Sequence, residues 1–167
     1  MSSQSRPTRG TVSSLPDALS TLTDAARSRD LTIAVAESLT SGLLAGAVGK
    51  GEKSSEWFAG GVVAYQLRVK EDVLGVRKGI DPCSAECAEQ LAAGVRKVLG
   101  ADIAVSTTGV GGPDPQDGHA PGTVYLGWST GEETGHLQLQ IGGEVEDVLD
   151  QAVQDAVELL AQLATRD

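Results

Sequence analysis

The chain is poor in aromatic residues, in positive charge and in cysteine, and it has no apolar run of membrane-spanning length. Aromatics make up 3% of its 167 residues, so Ala, Val, Leu and Ile have to build the core. Thirteen Lys and Arg stand against twenty-three Asp and Glu, a formal charge of −10 with no basic patch. That argues against a nucleic-acid partner, whose phosphates need clustered cations. An acidic surface still permits a small anionic ligand in a local pocket. The two cysteines, Cys83 and Cys87, lie four residues apart, which is neither a redox C-x-x-C pair nor a zinc spacing. On a helix they would sit one turn apart as small apolar residues, and no metal is expected. The polar start M-S-S-Q-S-R-P-T-R-G-T-V-S-S lacks the apolar segment of a secretory signal. With no stretch near transmembrane length, a cytoplasmic location and no membrane partner are the default expectation.

What is abundant is glycine, with 21 residues that cluster in short motifs. Such clusters suit close backbone approach or positive φ. Residues 1–13 read as a disordered tail and 14–167 as one domain. Ser14-Leu15-Pro16-Asp17 matches a capping box and opens a helix to about Arg29. Leu31 to Ala36 reads as a buried strand, Leu43 to Val48 as a helix, Gly60 to Tyr65 as a strand and Val69 to Leu74 as a short helix. Ser84 caps a helix that ends at Gly100, and Asp102 to Thr107 is a third strand. Thr108 to Gly122 is a Gly/Pro loop. Thr123 to Trp128 and His136 to Ile141 form an antiparallel pair, and a helix with one apolar stripe runs from Val145 to Leu163. This order predicts a single-domain α/β fold, a three-layer α/β/α sandwich on a mixed β-sheet.

Ligands in open α/β sheets gather at the carboxyl ends of strands. Three polar, Gly-containing segments fall at such ends: Glu37 to Gly42, Tyr65 to Lys70, and Thr107 to Pro113. In the first, Ser38 stands at or just before a helix start, where free N–H groups can hold an oxyanion. It is either a nucleophile or, like Thr40, a simple helix cap. The segment is not a Walker loop, and the chain lacks the G-x-S-x-G elbow. Two bases are open to Ser38. His119 lies in the Gly/Pro loop, while His136 sits among glutamines and reads as exposed. Lys70 follows the second rim segment and would serve if burial or Arg68 lowered its pKa. The third segment, Thr107 to Pro113, suits either close approach to a ligand or a plain turn.

Taken in order, these pieces resemble a known family. They are Ala36-Glu37-Ser38 with Thr40 and Gly42, Ser54-Ser55-Glu56-Trp57-Phe58-Ala59-Gly60-Gly61-Val62-Val63-Ala64-Tyr65, Lys70, Leu74-Gly75-Val76, Thr108-Gly109-Val110-Gly111-Gly112-Pro113, and Gly122-Thr123-Val124-Tyr125. The set is similar to the CinA C-terminal domain and covers roughly residues 15–164. That family includes nicotinamide-nucleotide amidases, which convert nicotinamide mononucleotide to nicotinate mononucleotide and ammonia. The resemblance implies Ser38 as nucleophile, Lys70 as its base, and substrate contacts from Glu37, Thr40, Tyr65, Thr108, Gly109 and Gly111. It implies no metal and no cofactor, a nucleotide or amide as the small-molecule partner, and a homo-oligomer.

The chain departs from the family pattern at named positions. Leu39 and Ser41 replace Cys and Gly. Gln66-Leu67 replaces a Ser-Asn pair. His119 stands where a lysine is usual, and Val145 where an arginine is usual. The dyad is kept while the recognition shell loses cations. Two other readings accompany the amidase. One is a non-catalytic nucleotide-binding or regulatory domain, and the other an amidase for a different, non-phosphorylated amide.

Overall fold

The computed structural model describes residues 6–10 and 13–167. Five strands form one sheet in the order β2-β1-β3-β4-β5, where β1 is Ile33–Glu37, β2 Phe58–Val63, β3 Ile103–Gly109, β4 Thr123–Ser129 and β5 Thr134–Gln140. β1 runs parallel to both β2 and β3, whereas β3, β4 and β5 are antiparallel, so the sheet is mixed. β1 is buried at every residue, as a central parallel strand covered on both faces must be. β5 alternates exposed and covered positions, the mark of an outer strand with one wet face.

Five helices cover the sheet: α1 Leu15–Ser28, α2 Leu43–Val48, α3 Leu67–Leu74, α4 Ala85–Leu99 and α5 Val145–Ala164. A larger core lies between one face and α1, α2 and α5, built on Leu22, Val35, Leu126, Trp128 and Leu160. A smaller core joins the other face to α3 and α4 through Ala34, Ala36, Leu74, Leu91 and Val95. These are the expected three layers. The Ser14 hydroxyl accepts from the Asp17 N–H at the start of α1, and Ser84 does the same for Cys87 in α4. Gly94 lets α4 approach α3, because a Cβ there would strike the Leu74 carbonyl.

Several boundaries differ from the sequence expectation. β3 extends to Gly109 because Thr108 and Gly109 pair with Tyr125 and Val124 of β4. Cys83 precedes α4 instead of sharing its face with Cys87, since Ser84 is the N-cap, and both thiols are buried. Part of the expected tail is docked. Pro7 is buried, Thr8 exchanges hydrogen bonds with Gln162, and Arg9 pairs with Asp155, so residues 6–10 lie along α5. Residues 1–5, 11 and 12, also assigned to the tail, lie outside the described residues. The apolar stripe of α5 packs within the chain, against α1 and the sheet. Among the described residues, no helix is long and apolar enough to cross a membrane.

Candidate active site

Ser38 follows the last residue of β1. Its N–H donates to the Thr107 carbonyl at 2.9 Å, which carries the β1–β3 ladder one step past the strand. The hydroxyl is thus fixed at the carboxyl edge of the sheet, as the strand-to-helix reading requires. Lys70 comes from α3, where it shares the inward face with Leu74, one helical turn on. Its side chain is only 2% exposed. Lys70 Nζ lies 3.0 Å from Ser38 Oγ, 2.7 Å from the Ala64 carbonyl oxygen and 3.0 Å from that of Tyr65.

That triad of contacts suits a general base. Burial holds the Lys70 ammonium below its ordinary value of 10.5, with the Cys87 thiol acting weakly the other way. A neutral amine offers two N–H donors and one lone pair. The two carbonyls take the donors, and the lone pair is left for the Ser38 hydroxyl proton. Tyr65 therefore serves the dyad through its main chain, while its 67% exposed ring stands at the cavity mouth.

Glu37 does different work from the substrate contact expected of it. It is buried and is not among the residues that line the cavity. Its carboxylate accepts from the Thr40 hydroxyl at 2.6 Å, the Leu44 N–H at 2.8 Å and the Ala45 N–H at 3.0 Å. Thr40, also buried and off the cavity wall, spends its one hydroxyl proton on Glu37 and so accepts from the Thr107 hydroxyl at 2.7 Å. Together the two residues brace the turn from behind. This overturns two expectations. Neither Ser38 nor Thr40 caps α2, whose N-cap is Gly42 at φ 108°. Nor are the first N–H groups of α2 open to an oxyanion, because Leu43 donates to Thr40 and the next two to Glu37. The N–H groups of Leu39 and Thr40, directly after Ser38, have no partner among the described residues.

The dyad opens into a cavity of about 470 Å³. Thr108, Gly109 and Gly111 line it, and Thr108 also donates its hydroxyl proton to the Pro82 carbonyl. Sequence reading missed other parts of the wall, among them Leu39 and Leu67, Val145 and Leu149 from the start of α5, and Asp114, Gln116 and Asp117 from the loop after Gly112. The two carboxylates directly after the Gly-rich segment were the available signal. His119 pairs with Asp81 at 2.7 Å and is not part of this wall, so a Ser38–His119 pair is not formed. His136 is exposed and pairs with Glu89. Arg68 is exposed on α3 and does not reach the cavity wall. Burial, with nearby carboxylates, pushes both the Cys83 and Cys87 thiols up to about 11, so neither is a ready nucleophile. Among the described residues, no cluster of His, Cys, Asp or Glu is arranged to hold a metal.

Known proteins resemble this chain in sequence and in fold. The model of the CinA C-terminal domain matches residues 17–164. A protein named as competence-damage inducible in Bacillus velezensis is 50% identical over 120 residues, which are 69% of this chain and 29% of that protein. A CinA-like protein of Frankia casuarinae is 37% identical over 139 residues, 81% of this chain and 32% of its own length. The chain thus spans about a third of the curated relatives it matches. The crystal structure of a CinA superfamily protein from Escherichia coli superposes with a TM-score of 0.89 at 27% identity, covering 93% of this chain and 95% of that one. A competence/damage inducible protein from Agrobacterium tumefaciens gives a TM-score of 0.81 at 28% identity, with 90% and 96% covered. With the whole ordered fold matched from α1 to α5, the chain belongs to the CinA C-terminal domain family.

Proposed function

We propose that this chain is a serine–lysine amidohydrolase that releases ammonia from a primary carboxamide of the nicotinamide nucleotide type, with nicotinamide mononucleotide the substrate its family resemblance implies. The observation that carries the reading is the buried Lys70 amine at 3.0 Å from Ser38 Oγ, its other two contacts taken by carbonyls. A lysine kept only for packing would have no need of a hydroxyl at the open end of a cavity.

The chemistry balances with these groups alone. Lys70 Nζ takes the Ser38 hydroxyl proton as Oγ bonds to the carboxamide carbon. The carbonyl electron pair moves onto oxygen, where the N–H of Leu39, a wall residue directly after Ser38, is the nearest main-chain donor in sequence without a partner among the described residues. Collapse of that intermediate breaks the C–N bond, and the leaving nitrogen takes the proton from Lys70 to depart as ammonia. Water, deprotonated by the same amine, then cleaves the ester to give the carboxylate and restores Ser38. A cavity of about 470 Å³ falls in the range that holds a ligand of nucleoside or nucleotide size. The test is an ammonia assay on the wild-type chain across a panel of primary carboxamides. Equal amounts of ammonia and carboxylate support the reading. Saturable binding with no ammonia over hours would instead support a non-catalytic nucleotide-binding domain.

A further inference from the structure

The cavity around the dyad is charged in one sense only. Asp114 and Asp117 contribute carboxylates to its wall, and no arginine, and no lysine other than Lys70, lines it among the described residues. Lys70 cannot serve as an anion site, because its three contact directions are taken by Ser38 and two carbonyls. The remaining wall carries no charge: Leu39, Leu67, Val145 and Leu149 share it with the neutral polar side chains of Ser41, Tyr65, Thr108 and Gln116. Burial, with the carboxylates of Asp81 and Asp117 nearby, pushes the thiol of Cys83, another residue of the wall, up to about 11. A dianionic phosphate placed here would lose its hydration, meet two carboxylates and gain no cation. A pyridinium ring or sugar hydroxyls would meet favourable partners in the same carboxylates.

We propose that Asp114 and Asp117 set the specificity of this cavity, selecting a carboxamide whose body is cationic or hydroxylated and carries no phosphate. This rests on the amidohydrolase reading and narrows it to a nucleoside-type amide in preference to the phosphorylated form. Both aspartates are exposed on a loop, so their amides leave the core untouched. Asp117 has φ 50°, a left-handed conformation that Asn also adopts readily.

The experiment compares nicotinamide riboside with nicotinamide mononucleotide on the full chain. Ammonia release gives kcat/KM for the wild type, and calorimetry on Ser38→Ala gives binding without turnover. The riboside is expected to lead by at least ~10-fold in both readouts, with the gap shrinking as salt screens the carboxylates. The Asp114→Asn/Asp117→Asn double variant narrows the gap chiefly by improving the mononucleotide. Equal or better binding of the mononucleotide, or an unchanged ratio in the double variant, overturns the proposal. So does failure of Ser38→Ala to bind either probe. If the riboside binds selectively but the wild type releases no ammonia, the specificity stands and the amidohydrolase reading falls.

Discussion

Replacing Glu37 with glutamine probes the brace behind Ser38 without touching the cavity. The carboxylate accepts one hydroxyl and two main-chain N–H bonds, all in a buried setting. Gln has nearly the same shape but turns one acceptor into a donor. Whichever way its amide is placed, its NH2 faces a group that must itself donate. One charge-assisted bond is lost, worth about 1.5–3 kcal/mol, and the facing donor is left buried and unpaired at a cost of ~1–3 kcal/mol. Partial relaxation brings the expected loss to about 3 kcal/mol, or ~6–12 °C in melting temperature for a chain of this size. Urea denaturation measures the first and a thermal scan the second. Because Glu37 sits behind the turn and off the cavity wall, the ammonia assay should show kcat falling while KM stays near its wild-type value. A loss under ~1 kcal/mol would refute the claim that this carboxylate anchors α2. A large rise in KM with kcat unchanged would return Glu37 to the substrate-contact role.

Four further outcomes follow from the same geometry. Lys70 must be neutral to act, and burial lowers its pKa, so kcat/KM should rise with pH through a midpoint below 10.5 and then level off. A profile still rising steeply at 10.5 would contradict that. The same shift makes the unfolded state bind more protons between the lowered folded value and 10.5, so stability from this group increases with pH across that window. Cys83 and Cys87, buried and raised to about 11, should resist iodoacetamide at pH 8 in the native chain and react once it is unfolded in urea; rapid native labelling followed by peptide mapping would disprove it. At Gly109, φ is 150° and a Cβ would strike the Thr123 carbonyl, so Gly109→Ala should cost ~1–3 kcal/mol by chemical denaturation and disturb the cavity rim.

The layers of the fold were legible because the apolar runs are cleanly separated by polar turns. Leu31 to Ala36 could only be a strand between buried faces, and the stripe from Val145 to Leu163 only a covered helix. Strand ends were less legible, since Thr108 and Gly109 look like loop residues until β4 supplies their partners. At the site, Ser38 and Lys70 are 32 residues apart on different elements, so no local pattern joins them. Their pairing was carried by the ordered motifs of the family resemblance. The bonds of Glu37 to α2 were hidden because its carboxylate reaches the helix start from across a turn, a device that spacing rules for N-caps do not cover. The docking of residues 6–10 was hidden for a similar reason. Asp155 and Gln162, which hold that segment, are polar positions on α5 that read as solvent-facing.

The central claim is that Ser38 and Lys70 act as one catalytic unit, and ammonia release by four proteins side by side tests it most directly. The wild type should turn over the best carboxamide in the panel. Ser38→Ala and Lys70→Ala should each lose at least ~10³-fold in kcat, and the double variant should be no slower than Ser38→Ala, since members of one unit are non-additive. Turnover by Ser38→Ala at the wild-type rate, or losses in the two single variants that multiply in the double, would contradict the account.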